Sequence, residues 1–283
     1  MKVLFISDFN LDQREGGAQV SNSLIVKKGR ELGHDIKEHN HNSSVIDLLS
    51  TYDLVVNSNL DAIKQVSPEK YKMIENLPNS VRLEHDSCSY LSNEERKTLF
   101  SNAKKTFFLT DYHYSFFKQL YGDFFNNVEI VYDPIDTTIF KKDNKDKTYD
   151  VVYCGFLHPL KGLNTLINFA RNNPDRQVDV FGWSDERNPK LFFENEPNIK
   201  FNGSCKHEEV ADVFQRTKAV FHAPVVNEPF CRMIGEALLC GVETIIGDTS
   251  KIGSYLEFEK VGYDNFKKGC EEASSKFWEK VIQ

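Results

Sequence analysis

Short apolar runs alternate with amphipathic stretches over the first 133 residues. Runs of four to six apolar residues predict buried strands, and stretches with apolar residues every three or four positions predict helices. Strands that alternate with helices predict a parallel sheet covered on both faces. The predicted strands are 2–7, 52–56, 81–84, 106–109 and 128–131, and the predicted helices are 18–32, 61–75, 93–103 and 112–121.

A charged segment without apolar periodicity, 141–150, interrupts this alternation, which then starts again. Strands are predicted at 149–154, 178–181, 198–201, 219–223 and 242–247, and helices at 160–172, 208–215, 230–239 and 264–282. This pattern predicts an α/β protein with two Rossmann-like domains facing a central cleft, the place where such sheets bind ligands. The predicted boundaries are an N-terminal domain at 1–133, a linker at 134–148, a C-terminal domain at 149–262 and a last helix at 263–283 that packs back on the N-terminal domain.

Composition narrows the classes of function. The chain has 283 residues, with 35 Lys and Arg against 42 Asp and Glu, for a formal net charge of −7. This balance disfavours a nucleic-acid binder, which needs a basic surplus against phosphates. Apolar runs stay far below the roughly 20 residues of a membrane span, and the apolar run before Asp8 is too short for a signal peptide. We therefore predict a cytoplasmic protein without a transmembrane segment.

Two smaller features are interpreted conservatively. The six cysteines are scattered, with no pair two to four residues apart, so no zinc or redox motif is visible and buried, reduced thiols are expected. The stretch 104–125 is rich in aromatic residues but contains only three lysines. It is interpreted as core strand plus amphipathic helix, and peripheral membrane contact remains an alternative.

Two positions are candidates for binding an anionic ligand. Gly16 and Gly17 precede the first predicted helix, where backbone N–H groups approach a phosphate readily, although a tight turn alone requires glycine as well. Because no G-x-G-x-x-G motif is present, a nicotinamide or flavin dinucleotide is not expected.

The stronger candidate is the segment NEPFCRMIGEALLCG, 227–241. Asn227 or Glu228 is predicted to cap the helix, and Pro229 suits its first position. Eight residues separate Glu228 from Glu236, which corresponds to about 12 Å along a helix axis. That distance matches a sugar and a ribose joined by a diphosphate, with the helix N-terminus between them for the phosphates.

These residues carry a resemblance to a known family. Glu228 and Glu236 resemble the Glu-x7-Glu signature of retaining GT-B glycosyltransferases, especially glycosyltransferase family 4. GGAQ at 16–19, VYDPIDTTIF at 131–140 and CGFLHPLKGLNTLI at 154–167 resemble the family's first loop, domain crossover and donor-domain start. The resemblance covers nearly the whole chain with its motifs in order. It implies a GT-B fold and a metal-independent hexosyltransferase in glycan biosynthesis that needs no cofactor, with a UDP- or GDP-linked sugar as donor.

The resemblance also implies residue roles. Glu228 would hold the donor sugar hydroxyls, Glu236 the ribose hydroxyls, and Lys161 the diphosphate. His85 would lie near the anomeric carbon, and it is alternatively a capping or core residue. The remaining donor contacts implied are the backbones of Gly16, Gly17, Pro229, Phe230 and Cys231.

One departure from the family pattern concerns the diphosphate. Phe156 stands where relatives carry an Arg, so Arg232 or His158 is the candidate replacement cation. The acceptor is a glycan, a lipid or a small molecule, since the sequence does not choose among them. A nucleotide-sugar epimerase of the same fold and a non-catalytic nucleotide-sugar binding module remain alternative functions.

Overall fold

The computed structural model describes residues 1–14, 16–43, 51–77 and 80–283. Its first half contains a sheet of six strands, all parallel, in the order β2-β1-β3-β4-β5-β6. The central strands β1, β3, β4 and β5 are almost entirely buried because both faces of the sheet are covered, and most of their buried residues are apolar. The buried polar residues of these strands are Asn57, Ser80, Arg82 and Thr106. The strands are β1 (Lys2–Ile6), β2 (Asp35–His39), β3 (Leu54–Asn57), β4 (Ser80–Leu83), β5 (Lys105–Phe108) and β6 (Val128–Ile130).

In the described connections between these strands there are five α-helices: α1 (Gly17–Glu31), α2 (Asp61–Val66), α3 (Pro68–Glu75), α4 (Asn93–Asn102) and α5 (Asp111–Tyr121). The prediction of a single helix at 61–75 is wrong, because the helix is interrupted at Ser67, whose φ/ψ of −147°/82° is not helical. Proline disfavours helical geometry in the residue before it, so Pro68 begins a new helix instead of continuing the old one.

Strand β2 lies at the edge of the sheet and the sequence analysis does not predict it. Ile36 is its only buried residue among Asp35–His39. A strand with one buried side chain lacks the apolar run by which the other strands are recognised.

The second half contains a parallel sheet of five strands in the order β11-β10-β7-β8-β9. These are β7 (Tyr149–Phe156), β8 (Val178–Trp183), β9 (Ile199–Gly203), β10 (Thr217–His222) and β11 (Glu243–Ile246). The connecting helices are α6 (Leu163–Asn172), α7 (His207–Gln215) and α8 (Arg232–Leu239), and a long helix, α9 (Gly253–Ile282), ends the chain. No helix in the described parts of the chain is both long and apolar enough to cross a bilayer.

The end of the last helix, α9, packs against helix α1 near the start of the chain. It is interrupted at Gly262, whose φ/ψ of 75°/170° is not helical. Near its end Trp278 is fully buried, and its indole N–H donates to the carbonyl of Ile25 in α1 at 2.8 Å. A Cβ at Gly29 of α1 would lie 2.5 Å from the Trp278 ring, so glycine is required for this close approach.

By its internal contacts the chain divides into two compact units. The N-terminal unit comprises 1–134 together with 268–283, and the C-terminal unit comprises 135–267. The charge pattern predicts a linker at 134–148, and by their contacts residues 135–148 of that segment belong to the C-terminal unit.

The N-terminal unit contains a buried histidine whose protonation opposes folding. His113 is fully buried between Phe108 and Phe117, and its Nδ1 accepts the backbone N–H of Leu109 at 3.3 Å. Burial lowers the pKa of His113 from 6.5 to about 3. Between these pH values the unfolded chain binds a proton that the folded chain does not, so stability falls as the pH falls.

We expect His113→Asn to flatten the acid limb of the stability profile. The Asn carbonyl can accept the Leu109 N–H but does not titrate. The slope of unfolding free energy against pH between about 5.5 and 4 should decrease by up to about 1.4 kcal/mol per pH unit. Urea unfolding across this range measures it, and circular dichroism checks that the variant is folded. An unchanged slope would assign the acid sensitivity to other groups.

Candidate active site

Backbone contacts bring the loops after β7 and β10 together. Residues Pro159–Lys161 form a single 3₁₀ turn, and His158 Nδ1 accepts the N–H of Leu160 at 3.2 Å. The N–H of Val225, after β10, donates to the carbonyl of Leu160 at 2.9 Å. Gly162 has φ of 89°, and a Cβ there would lie 2.2 Å from the carbonyl oxygen of Ala223. Glycine at 162 therefore permits the contact that places Lys161 beside the second loop.

Glu228 lies in that second loop, and its backbone pairs with a distant segment. Its N–H donates to the carbonyl of Lys251 at 2.8 Å, and its carbonyl accepts the N–H of Gly253 at 2.9 Å. Helix α8 begins only at Arg232. The predicted helix cap at Asn227 or Glu228, with Pro229 in the first turn, is therefore wrong: this pairing holds Glu228 in an extended conformation before the helix.

Lys161 and Glu228 form an ion pair at the carboxyl ends of β7 and β10. Lys161 Nζ lies 2.7 Å from Glu228 Oε1, with the lysine side chain 38% exposed and the glutamate side chain 10% exposed. Burial alone would raise the pKa of Glu228, but Lys161 and His222 outweigh it and hold that pKa at about 2. Glu228 is therefore a buried carboxylate that is charged across the physiological pH range.

His222 and Cys231 lie against the same carboxylate. His222 Nε2 is 3.7 Å from Glu228 Oε1. Burial opposes protonation of His222, yet the adjoining Cys231 and Glu228 raise its pKa to about 9. Cys231 caps α8 with φ of 62°, a left-handed conformation that glycine adopts more readily. The sequence analysis did not find His222, because nothing in the run AVFHA distinguishes it from a core residue.

Glu236, inside α8, is buried between the imidazole of His207 and the guanidinium of Arg232. Its Oε1 lies 2.7 Å from His207 Nε2 and 2.8 Å from Arg232 Nε. Arg232, a candidate for the missing diphosphate cation, thus directs its guanidinium to Glu236. His207 is the first residue of α7 and was not predicted; its ring packs on Phe140, with centroids 5.2 Å apart.

Residues 229–231, which follow Glu228, have few backbone groups that are suited to bind an anion. Pro229 has no N–H and contributes only its carbonyl. The carbonyl of Phe230 accepts the N–H of Ser254 at 2.6 Å, and the carbonyl of Cys231 accepts the Ser254 hydroxyl at 3.1 Å. The backbone groups here that can bind an anion are therefore N–H groups, those of Phe230 and Cys231 and those at the start of α8, where the first amides lack intrahelical acceptors.

Phe156, at the position of the family's Arg, belongs to an aromatic group at the end of β7. Its ring stacks on His158 with centroids 5.4 Å apart and an interplanar angle of 11°, and it contacts Trp183 at 4.4 Å. All three side chains are half-buried. His158, the other candidate cation, is therefore engaged in stacking and in capping the 3₁₀ turn.

Three predicted residues lie in the N-terminal unit. Gly16 caps α1 and Gly17 is the first residue of that helix, so both lie at its N-terminus. His85 follows β4 and is buried, 6% exposed. Its Nε2 forms a hydrogen bond with Asn22 Oδ1 at 2.9 Å, which orients the ring, and its Nδ1 lies 3.4 Å from Asp133 Oδ1.

A polar pocket of about 570 Å³ lies beside β1 in the same unit. Asn22, the partner of His85, is part of its wall. Phe9 and Leu11 supply apolar surface, and the polar lining includes Asn10, Asp12, Gln19, Ser23 and Glu38. Such a mixture of carboxylate, amide and hydroxyl groups with an aromatic ring can bind a hydroxyl-rich molecule.

Comparison with known proteins finds a family match in the C-terminal half of the chain. Residues 134–268 match the family model for glycosyl transferases group 1. No curated protein matches the chain.

Solved structures extend the likeness to the whole chain. HepE of Anabaena in complex with UDP-glucose is 18% identical, with a TM-score of 0.65 over 100% of this chain and 96% of that one. The sucrose-phosphate synthase of Thermosynechococcus elongatus is 13% identical, with a TM-score of 0.69 over 99% and 96%. AviGT4, a glycosyltransferase involved in avilamycin A biosynthesis, is 13% identical, with a TM-score of 0.62 over 99% and 97%. The predicted α/β, GT-B fold is confirmed.

Proposed function

We propose that this protein is a retaining, metal-independent GT-B glycosyltransferase that transfers a hexose from a nucleoside diphosphate sugar to an acceptor hydroxyl. The observation that carries the proposal is the ion pair of Lys161 with buried Glu228, eight residues before buried Glu236, inside a glycosyl transferases group 1 domain. UDP-sugars are the first donors to test, because the structure of HepE contains UDP-glucose.

Glu228 and Lys161 divide the work on the donor. The Glu228 carboxylate accepts hydrogen bonds from sugar hydroxyls and fixes the ring. Lys161 turns to the diphosphate, whose negative charge grows as the bond to the sugar breaks. Its ammonium group and the N–H groups that begin α8 then stabilise the leaving group in a partly desolvated site.

Glu236 serves the nucleotide. His207 and Arg232 both contact its Oε1, which leaves the Oε2 side of the carboxylate to accept the two ribose hydroxyls. Charge-assisted hydrogen bonds of this kind are about twice as strong as neutral ones. The polar pocket beside β1 is the proposed acceptor site, with His85 held at its wall through Asn22.

A two-step experiment tests this function. Thermal unfolding is followed with UDP-, GDP- and ADP-sugars, because a ligand that binds only the folded state raises Tm. The stabilising donor is then incubated with candidate acceptors, and release of nucleoside diphosphate is measured. Acceptor-dependent release supports a transferase. Interconversion of the donor sugar without acceptor, or stabilisation without turnover, would replace it with an epimerase or a binding module.

We expect Phe156→Arg to tighten nucleotide binding. The position ends β7, next to the turn that carries Lys161, and a guanidinium there would add a second cation for the diphosphate. A hydrogen bond to a charged group contributes about 1.5–3 kcal/mol, so Kd for the nucleoside diphosphate should fall roughly tenfold or more.

Calorimetric titration of Phe156→Arg against Phe156→Leu separates charge from loss of ring stacking. Phe156→Leu removes the stacking on His158 without adding a cation. Equal affinities for the two variants would place the diphosphate away from this residue.

A further inference from the structure

His222, Glu228 and Cys231 bring three different metal-binding atoms together. An imidazole nitrogen, a carboxylate oxygen and the thiol sulfur all lie within 4.8 Å of one another, and all three residues are buried. Along the chain they are spaced six and three residues apart, which matches no zinc-motif spacing. The loop after β10 makes the cluster by folding back over the end of its own strand.

The histidine of this cluster has unused binding capacity. His222 is 4% exposed, and among the described residues neither of its ring nitrogens has a partner in hydrogen-bonding geometry, although Cys231 and Glu228 lie near enough to raise its pKa. Its Nε2 lies 3.7 Å from Glu228 Oε1, which is too long for a hydrogen bond. Buried polar atoms normally have partners, so a ring nitrogen that lies within 4.8 Å of both a carboxylate oxygen and a thiol sulfur points to a missing ligand.

We propose that His222, Glu228 and Cys231 form a binding site for one Zn²⁺ ion. Zinc binds nitrogen, oxygen and sulfur ligands in tetrahedral sites, and three protein ligands leave the fourth position to water. Thiolate favours zinc over magnesium or calcium, which prefer oxygen ligands. The ion takes the place of ligand protons, since histidine and cysteine bind zinc in deprotonated form.

Zinc binding requires one rearrangement. Lys161 now lies 2.7 Å from Glu228 Oε1, and the metal must displace its ammonium group from that oxygen. The lysine side chain is 38% exposed, so it can move toward solvent. Zinc and Lys161 therefore compete for Glu228. Where the proposed function holds, zinc also competes with the donor sugar for this carboxylate and inhibits transfer.

The test measures zinc binding directly and needs no enzyme activity. Full-length protein without a histidine tag is titrated with Zn²⁺ against a chromophoric chelator. We expect one ion per chain. Cys231→Gly and His222→Asn should each weaken binding at least about 100-fold, because even loss of a residue that only supports a ligand costs 10–100-fold. Cys231→Gly suits the fold, since glycine accepts the positive φ at this position.

Two further variants sharpen the result. Cys88→Ser removes an exposed thiol outside the cluster and should leave the affinity unchanged. Lys161→Ala removes the competing cation and should tighten binding. X-ray absorption at the zinc edge of the wild-type protein should show one sulfur at about 2.3 Å with nitrogen or oxygen at about 2.0–2.2 Å. Absence of stoichiometric binding, a sulfur-free shell, or loss of binding in Cys88→Ser would overturn the site.

Discussion

Lys161→Ala is expected to lower turnover by about 10²–10³, the usual cost of removing one electrostatic group that acts on developing charge. Few other side chains of the site can replace Lys161 as the cation at the diphosphate. Phe156 is apolar, His158 caps the 3₁₀ turn, and Arg232 contacts Glu236. Because the leaving diphosphate is more highly charged in the transition state than in the bound donor, turnover should fall more than donor affinity.

Steady-state kinetics and donor titration measure both effects in Lys161→Ala. The matched control is Lys200→Ala, which removes a lysine of the same unit whose side chain is 68% exposed. The control should keep wild-type kinetics. Turnover of Lys161→Ala near that of the wild type would show that another group neutralises the charge of the diphosphate. The loop that carries Lys161 would then not correspond to the donor loop of the family.

The second large effect separates the two glutamates. Glu228→Gln should reduce turnover strongly with little change in affinity for the free nucleoside diphosphate, because that ligand lacks the sugar that Glu228 holds. Glu236→Ala should instead weaken nucleotide binding roughly 10- to 100-fold, since it removes hydrogen bonds of about 1.5–3 kcal/mol each from the ribose.

Calorimetry with the nucleoside diphosphate alone measures nucleotide affinity in both variants and so distinguishes the two roles. Steady-state kinetics with the complete donor measures turnover. The Gln substitution keeps the shape of the Glu228 side chain, so its backbone pairing with 251–253 is preserved. Equal losses of nucleotide affinity in the two variants would contradict the division of roles, whatever happens to turnover.

The sequence predicts most of the sheets because their strands are buried on both faces. Strand β2, which has one buried residue, is not predicted, because strands are predicted from runs of apolar residues. The break at Ser67 could have been anticipated from Pro68, whose effect on the preceding residue is local. Within the described residues of the first half, the prediction therefore misses a strand with little burial and a helix break that follows from proline.

The candidate site is predicted less completely, and the reason is distance along the chain. Glu228 and Glu236 stand out by spacing, but the conformation of Glu228 depends on pairing with 251–253, which no local pattern encodes. His207 and Glu236 come from different helices. His222 looks like any buried residue at the end of a strand. Contacts made across loops determine what these side chains do.

The return of the C-terminus to the N-terminal unit affects the order in which the chain acquires its structure. During synthesis the N-terminal residues emerge first and normally fold first. Here the indole of Trp278 fills the space over Gly29 and donates a hydrogen bond to the carbonyl of Ile25, so the core beneath α1 stays incomplete until Trp278 has left the ribosome. The C-terminal unit, 135–267, is continuous in sequence and has no such delay. The second half of this protein can therefore reach its native packing before the first.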